Sequence, residues 1–117
     1  MQEKQLELWN NLKSDNTLMQ IQEYLEKIIE IRDFSDESIE ETMLILTEEI
    51  GELAKAIRKE KTNIKIDNNK IKNYSTVESE IADVFIVLCI VCNKLGIDLF
   101  AAFKEKEKEN INRKWEG

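Results

Sequence analysis

Two stretches carry carboxylates at a spacing that can do chemistry. In "LTEEIGELAKAIRKE" (46–60), Glu49 and Glu52 stand three residues apart; in "ESEIADVFIVLCIVC" (78–92), Glu80 and Asp83 do the same. Residues three and four apart share one face of a helix. Ile45 and Ala56 extend the Glu49–Glu52 stripe, and Glu49 borders the apolar Leu46, Ile50 and Leu53. Asp83 is the only polar residue between Glu80 and Asn93. A charged aspartate in so apolar a helix is costly unless it is paired or binds a metal. If the two helices pack side by side, four carboxylates converge. They then repel one another, with raised pKa values, or take up a hard cation such as Mg²⁺ or Mn²⁺. Two other readings stay open at this point: solvated acidic faces, and a salt-bridge network with Lys55, Arg58 and Lys59.

The elements that must position these acids are helical. The chain has 117 residues, no proline and three glycines, which argues against turn-rich β architecture and for one all-α domain. Residues 1–13 (Leu6, Trp9, Leu12) predict a short amphipathic helix, and "SDNT" (14–17) offers caps for a second over about 17–33, with Leu18, Ile21, Leu25, Ile28 and Ile29 inward. Ser35 or Asp36 is expected to cap a third over about 37–60, with a seam of Ile39, Met43, Leu46, Ile50, Leu53 and Ile57. A polar loop follows at 61–75, where "NIKID" and "NKIKN" offer an alternative hairpin. Ser75 or Thr76 caps a fourth helix to about 95, ended by Gly96; Asp98 caps a last one through "LFAAFKEKEKENINRKW".

Composition excludes several functions. A net charge of −7 without a basic stripe disfavours nucleic-acid binding. The polar N-terminus lacks a signal-peptide pattern, and the apolar run Ile81–Cys92 is too short to span a bilayer. Two cysteines make no disulfide scaffold, so a cytoplasmic location is expected. "CIVC" (89–92) lies inside an apolar helix, with no histidine in the chain to complete a zinc site. The E-x-x-H motif of di-iron bundles and the Gly-rich phosphate loop are both absent.

"EEIGE" (48–52) followed by "EIAD" (80–83) resembles the E-E-x-x-E…E-x-x-D signature of MazG-like nucleotide pyrophosphohydrolases, of the all-α NTP pyrophosphatase superfamily. "LTEEIGELAKAIRK", "ESEIADVFIVL", "NKLGIDL" and the tail "KEKENINRKW" are similar as well, so the likeness covers roughly residues 20 to 115. It implies an antiparallel four-helix-bundle fold, here with an extra N-terminal helix, assembled as a homodimer or homotetramer. The implied activity is Mg²⁺-dependent hydrolysis of a nucleoside triphosphate (NTP or dNTP) to the monophosphate and pyrophosphate.

Carried over by motif position, Glu49, Glu52, Glu80 and Asp83 would ligate Mg²⁺, or Mn²⁺ in its place. Glu48 and Glu49 are the catalytic candidates, Glu48 binding a further ion or orienting the attacking water. Without histidine, the general base must be a carboxylate or water activated by the metal. Asn110 and Arg113, on one face of the last helix, are the first candidates for the triphosphate, with Lys108 and Lys104 after them. The dCTP-specific relatives carry aromatic residues where this chain has Lys59 and Val87, which speaks against that route to base recognition. Trp9, Tyr24, Phe34 and Tyr74 are candidates for base stacking or for packing. Phosphoribosyl-ATP as substrate, or a non-catalytic helical interaction domain, are the alternatives.

Overall fold

The computed structural model describes residues 2–65 and 75–115, and every regular element among them is a helix. In chain order these are α1 (Gln2–Asn10), α2 (Leu18–Ile31), α3 (Ile39–Lys61), α4 (Val77–Leu95) and α5 (Leu99–Ile111). Among the described residues, no single helix is long and apolar enough to cross a membrane.

Local chemistry fixes the helix starts. Thr17 and Ser38 each form a reciprocal capping box, with Gln20 and Glu41 respectively. Ser38, rather than the expected Ser35 or Asp36, caps α3, because only Ser38 has a glutamate three residues on whose side chain returns to its own N–H. Thr76 Oγ1 accepts from Ser79 N–H at 3.1 Å to open α4, and Asp98 accepts from Ala101 N–H to open α5.

The helix ends are equally specific. Gly96, at φ +68°, ends α4, with Ile97 N–H donating to Cys92 O and Gly96 N–H to Asn93 O. Asp33 takes the same left-handed position after α2 at φ +63°, with Phe34 N–H donating to Ile29 O. The last helix stops at Ile111, short of the expected Trp115. Asn112 turns its own amide back onto Lys108 O at 3.1 Å, taking up a C-terminal carbonyl. The first helix likewise ends at Asn10, before the expected residue 13. Residues 62–65 are irregular; Tyr74 and most of the proposed hairpin lie outside the described residues.

The chain divides into two compact units, Met1–Asp36 with Cys92–Gly117, and Glu37–Val91. In the first, α2 buries Gln22, Leu25, Ile28 and Ile29. Each of those aliphatic side chains contributes roughly 1.5–3 kcal/mol by leaving water. Gln22 was not singled out by sequence, although it shares the Leu18–Leu25 face. Its Nε2 donates to Asn93 Oδ1 and Ile97 O, both at 2.9 Å, and its Oε1 accepts from Leu99 N–H at 3.0 Å. Asn93 Nδ2 returns a bond to Gln22 O. This amide cluster ties the turn between α4 and α5 to α2. Gln22→Leu keeps the volume but leaves three part-buried groups, Asn93 Oδ1, Ile97 O and Leu99 N–H, without this partner, at ~1 kcal/mol each. Thermal unfolding is therefore expected to show a loss of about 3 kcal/mol, with no change in helix content by circular dichroism at low temperature.

In the second unit, Leu46, Val87 and Val91 form a core against Ile39, Ile45 and Val84. The inward stripe of α3 corrects the seam expected from sequence. Thr42, Leu46 and Ala56 are buried, and Met43, Ile50 and Ile57 are exposed. The stripe therefore runs 39-42-46-49-53-56, placing Glu49 in line with core positions. The apolar residues left out, Met43, Ile50 and Ile57, make a second, exposed stripe. Helix α4 also departs from the all-round burial that its composition suggests, since Ile81 and Leu88 are exposed.

Candidate metal centre

Within the second unit, α3 supplies Glu49 and α4 supplies Glu80 and Asp83. One carboxylate oxygen from each lies within 4.8 Å of the others. The helical spacing does the positioning. Glu80 and Asp83 stand on successive turns of α4, seven and four residues before the core residue Val87. Glu49 lies one turn beyond Leu46, which packs in that same core. The core that joins the two helices thus also joins the acids.

Burial sharpens the arrangement. Glu80 is only 5% exposed, and its Oε2 is buried without a hydrogen-bond partner among the described residues. An orphaned buried oxygen of this kind calls for a ligand. Burial, then the nearby Asp83, Glu80, Glu52 and Glu48 carboxylates in that order, hold Glu49 above the ordinary carboxylate range. Three converging carboxylates, one of which carries an unsatisfied buried oxygen, suit an oxygen-loving divalent cation such as Mg²⁺ or Mn²⁺.

The other candidates fall differently. Glu52 is exposed, with its Oε2 3.5 Å from Lys55 Nζ. Glu48 is exposed on the next position of α3. Arg58, one of the cations offered for a salt-bridge network, donates to Lys65 O at 2.7 Å. Val87, at the position where dCTP-specific relatives have an aromatic residue, is buried in the core, and Lys59 is half-buried. Trp9 and Phe34 are exposed and Tyr24 half-buried.

At the end of α5, Asn110 Nδ2 donates to Glu107 Oε2 at 2.8 Å, and its Oδ1 accepts from Arg113 at 3.5 Å. Arg113 stacks over the Trp115 ring at 4.6 Å, and Trp115 Nε1 donates to Asn110 O. Lys104 and Lys108 are exposed on the same helix. Cys89 and Cys92 are buried, with no disulfide, and burial pushes the Cys92 thiol up.

No curated protein matches this chain significantly. The family model of the MazG nucleotide pyrophosphohydrolase domain matches residues 37–115, a span that holds α3, α4 and α5 and all three converging acids. The chain belongs to the MazG nucleotide pyrophosphohydrolase family.

Proposed function

We propose that the chain is a divalent-metal-dependent hydrolase that converts a nucleoside triphosphate, NTP or dNTP, to the monophosphate and pyrophosphate. The observation that carries this reading is the buried, unpartnered Glu80 oxygen among three carboxylates in a chain of this family. Glu49, Glu80 and Asp83 would hold Mg²⁺ or Mn²⁺. Glu52 would complete the set by turning away from Lys55, an exposed ion pair worth at most about 1 kcal/mol. When bound, the ion neutralises charge on the phosphoryl oxygens and makes a bound water more acidic. The protein's own acids do the rest. Glu48, solvent-facing beside Glu49, orients the attacking water and takes its proton as the anhydride bond between the α- and β-phosphoryl groups breaks. Asn110 and Arg113 are the proposed triphosphate contacts, ahead of Lys108 and Lys104.

The same reading includes an antiparallel four-helix bundle completed by self-association, as a homodimer or homotetramer. Exposed Met43, Ile50 and Ile57 on α3, and Ile81 and Leu88 on α4, support it. Apolar stripes of this kind are normally covered.

The test is a substrate panel. NTPs, dNTPs and phosphoribosyl-ATP are incubated with Mg²⁺ or Mn²⁺, and pyrophosphate and monophosphate are measured. Pyrophosphate from a triphosphate, in metal only, is the expected result. Orthophosphate release would move the cleavage point. An unchanged panel, equal to that of Glu49→Gln, would leave a helical interaction domain.

A further inference from the structure

Helix α5 is nearly naked. Phe100 and Phe103 are exposed, Ile111 is 82% exposed, and a shallow groove of about 700 Å³ follows the helix past Phe100, Lys104, Glu107 and Ile111. These four share one face, at spacings of four, three and four. An apolar residue closes each end of that face, and a lysine and a glutamate occupy its middle. Along this stretch lysine stands at every even position from 104 to 108 and glutamate at every odd one from 105 to 109.

That pattern complements itself when reversed. In an antiparallel pair of α5 helices about a two-fold axis between positions 105 and 106, even positions face odd ones, so Lys104 pairs with position 107 and Lys106 with position 105, both glutamates, and no lysine meets a lysine. Phe100 then meets Ile111 of the partner subunit, and Lys104 meets Glu107 of the partner subunit, each contact occurring twice. On the flank, Phe103 lies beside Lys108 of the partner subunit, an arrangement that suits a cation over a ring. A parallel pairing in register would set lysine on lysine and glutamate on glutamate, which the same charges oppose.

We infer that a second copy of this chain docks on α5, antiparallel and in this register. The contact deepens the self-association proposed above and rests on it. A pair of 13-residue helices is about 20 Å long. This is too small to hold a dimer alone, so its part is to set the orientation of the two copies. Lys104 and Lys108 are thereby engaged by the partner subunit, and the triphosphate falls to Asn110 and Arg113.

Cysteine cross-linking of the full chain tests the register. Phe100→Cys with Ile111→Cys should give a disulfide-linked dimer under mild oxidation. Neither single variant should, because a position 100 and its symmetry mate stand about 16 Å apart along the helices at 1.5 Å per residue. Cys89 and Cys92 are buried and stay out of the reaction. Charge reversal gives a second readout. Lys104→Glu or Glu107→Lys should each raise the dimer dissociation constant about tenfold, and the two together should restore it to within about twofold. A dimer by light scattering that fails to cross-link, or links equally through single cysteines, overturns the α5 contact and leaves self-association standing. A monomer at every concentration overturns both.

Discussion

Glu80→Gln is expected to reduce metal-dependent pyrophosphate release by about a thousandfold while leaving the helices folded. The argument starts from burial. Glu80 is the most enclosed of the three converging acids, and one of its oxygens has no hydrogen-bond partner among the described residues. Glutamine fills the same space, but its amide cannot replace an anionic oxygen ligand. Losing that ligand removes several kcal/mol of charge stabilisation from the phosphoryl transition state, and about 4 kcal/mol corresponds to a factor of about 10³. Asp83→Asn should behave alike. Glu52→Gln should fall by less, since Glu52 is exposed and beside Lys55. A steady-state pyrophosphate assay at saturating Mn²⁺ ranks the three. If Glu80→Gln retains activity within a few fold of wild type, Glu80 is no ligand.

Much of this site was legible before any coordinates. The i, i+3 acids sit on α3 and α4; the starts of α2, α4 and α5 are written in single residues, Thr17, Thr76 and Asp98, and the break at Gly96 follows from a left-handed turn. That Asp83 belongs to a largely apolar helix also reads directly. Harder to read was the phase of α3. Apolar residues line two of its stripes, and sequence spacing alone favoured the one containing Met43, Ile50 and Ile57. The structure buries the stripe containing Thr42 and Ala56, small side chains that let a neighbour approach, and Glu49 rides on it. The Gln22–Asn93 cluster escaped for a different reason. An amide on a helix face looks solvated until its partners, 71 residues away, are known.

In the absence of metal, Glu49→Gln is expected to be more stable than wild type at pH 7. The sign follows from the direction of the shift. Burial and four neighbouring acids raise the folded-state pKa of Glu49 above the ordinary 4.5. Folding therefore favours the protonated carboxyl. Its stability is full below the unfolded-state pKa and is lost as pH rises through the folded-state value. A neutral glutamine escapes that loss, so the melting-temperature difference between variant and wild type should be largest at neutral pH. It should shrink as pH falls through the 4.5 region. Saturating Mn²⁺ should invert the order, because the ion binds only the folded wild-type site and adds to its stability by mass action. A variant less stable than wild type without metal at neutral pH would mean that Glu49 is held by partners that favour its charge.

The central claim is that Glu49, Glu80 and Asp83 gather around one divalent cation. Calorimetric titration of the metal-free protein with Mn²⁺ addresses it without reference to substrate or turnover. Wild type should bind with saturable heat, and Glu80→Gln should reduce the affinity by at least about tenfold, as removal of a direct ligand requires. Equal Mn²⁺ binding by both proteins, or none by wild type, would contradict the account.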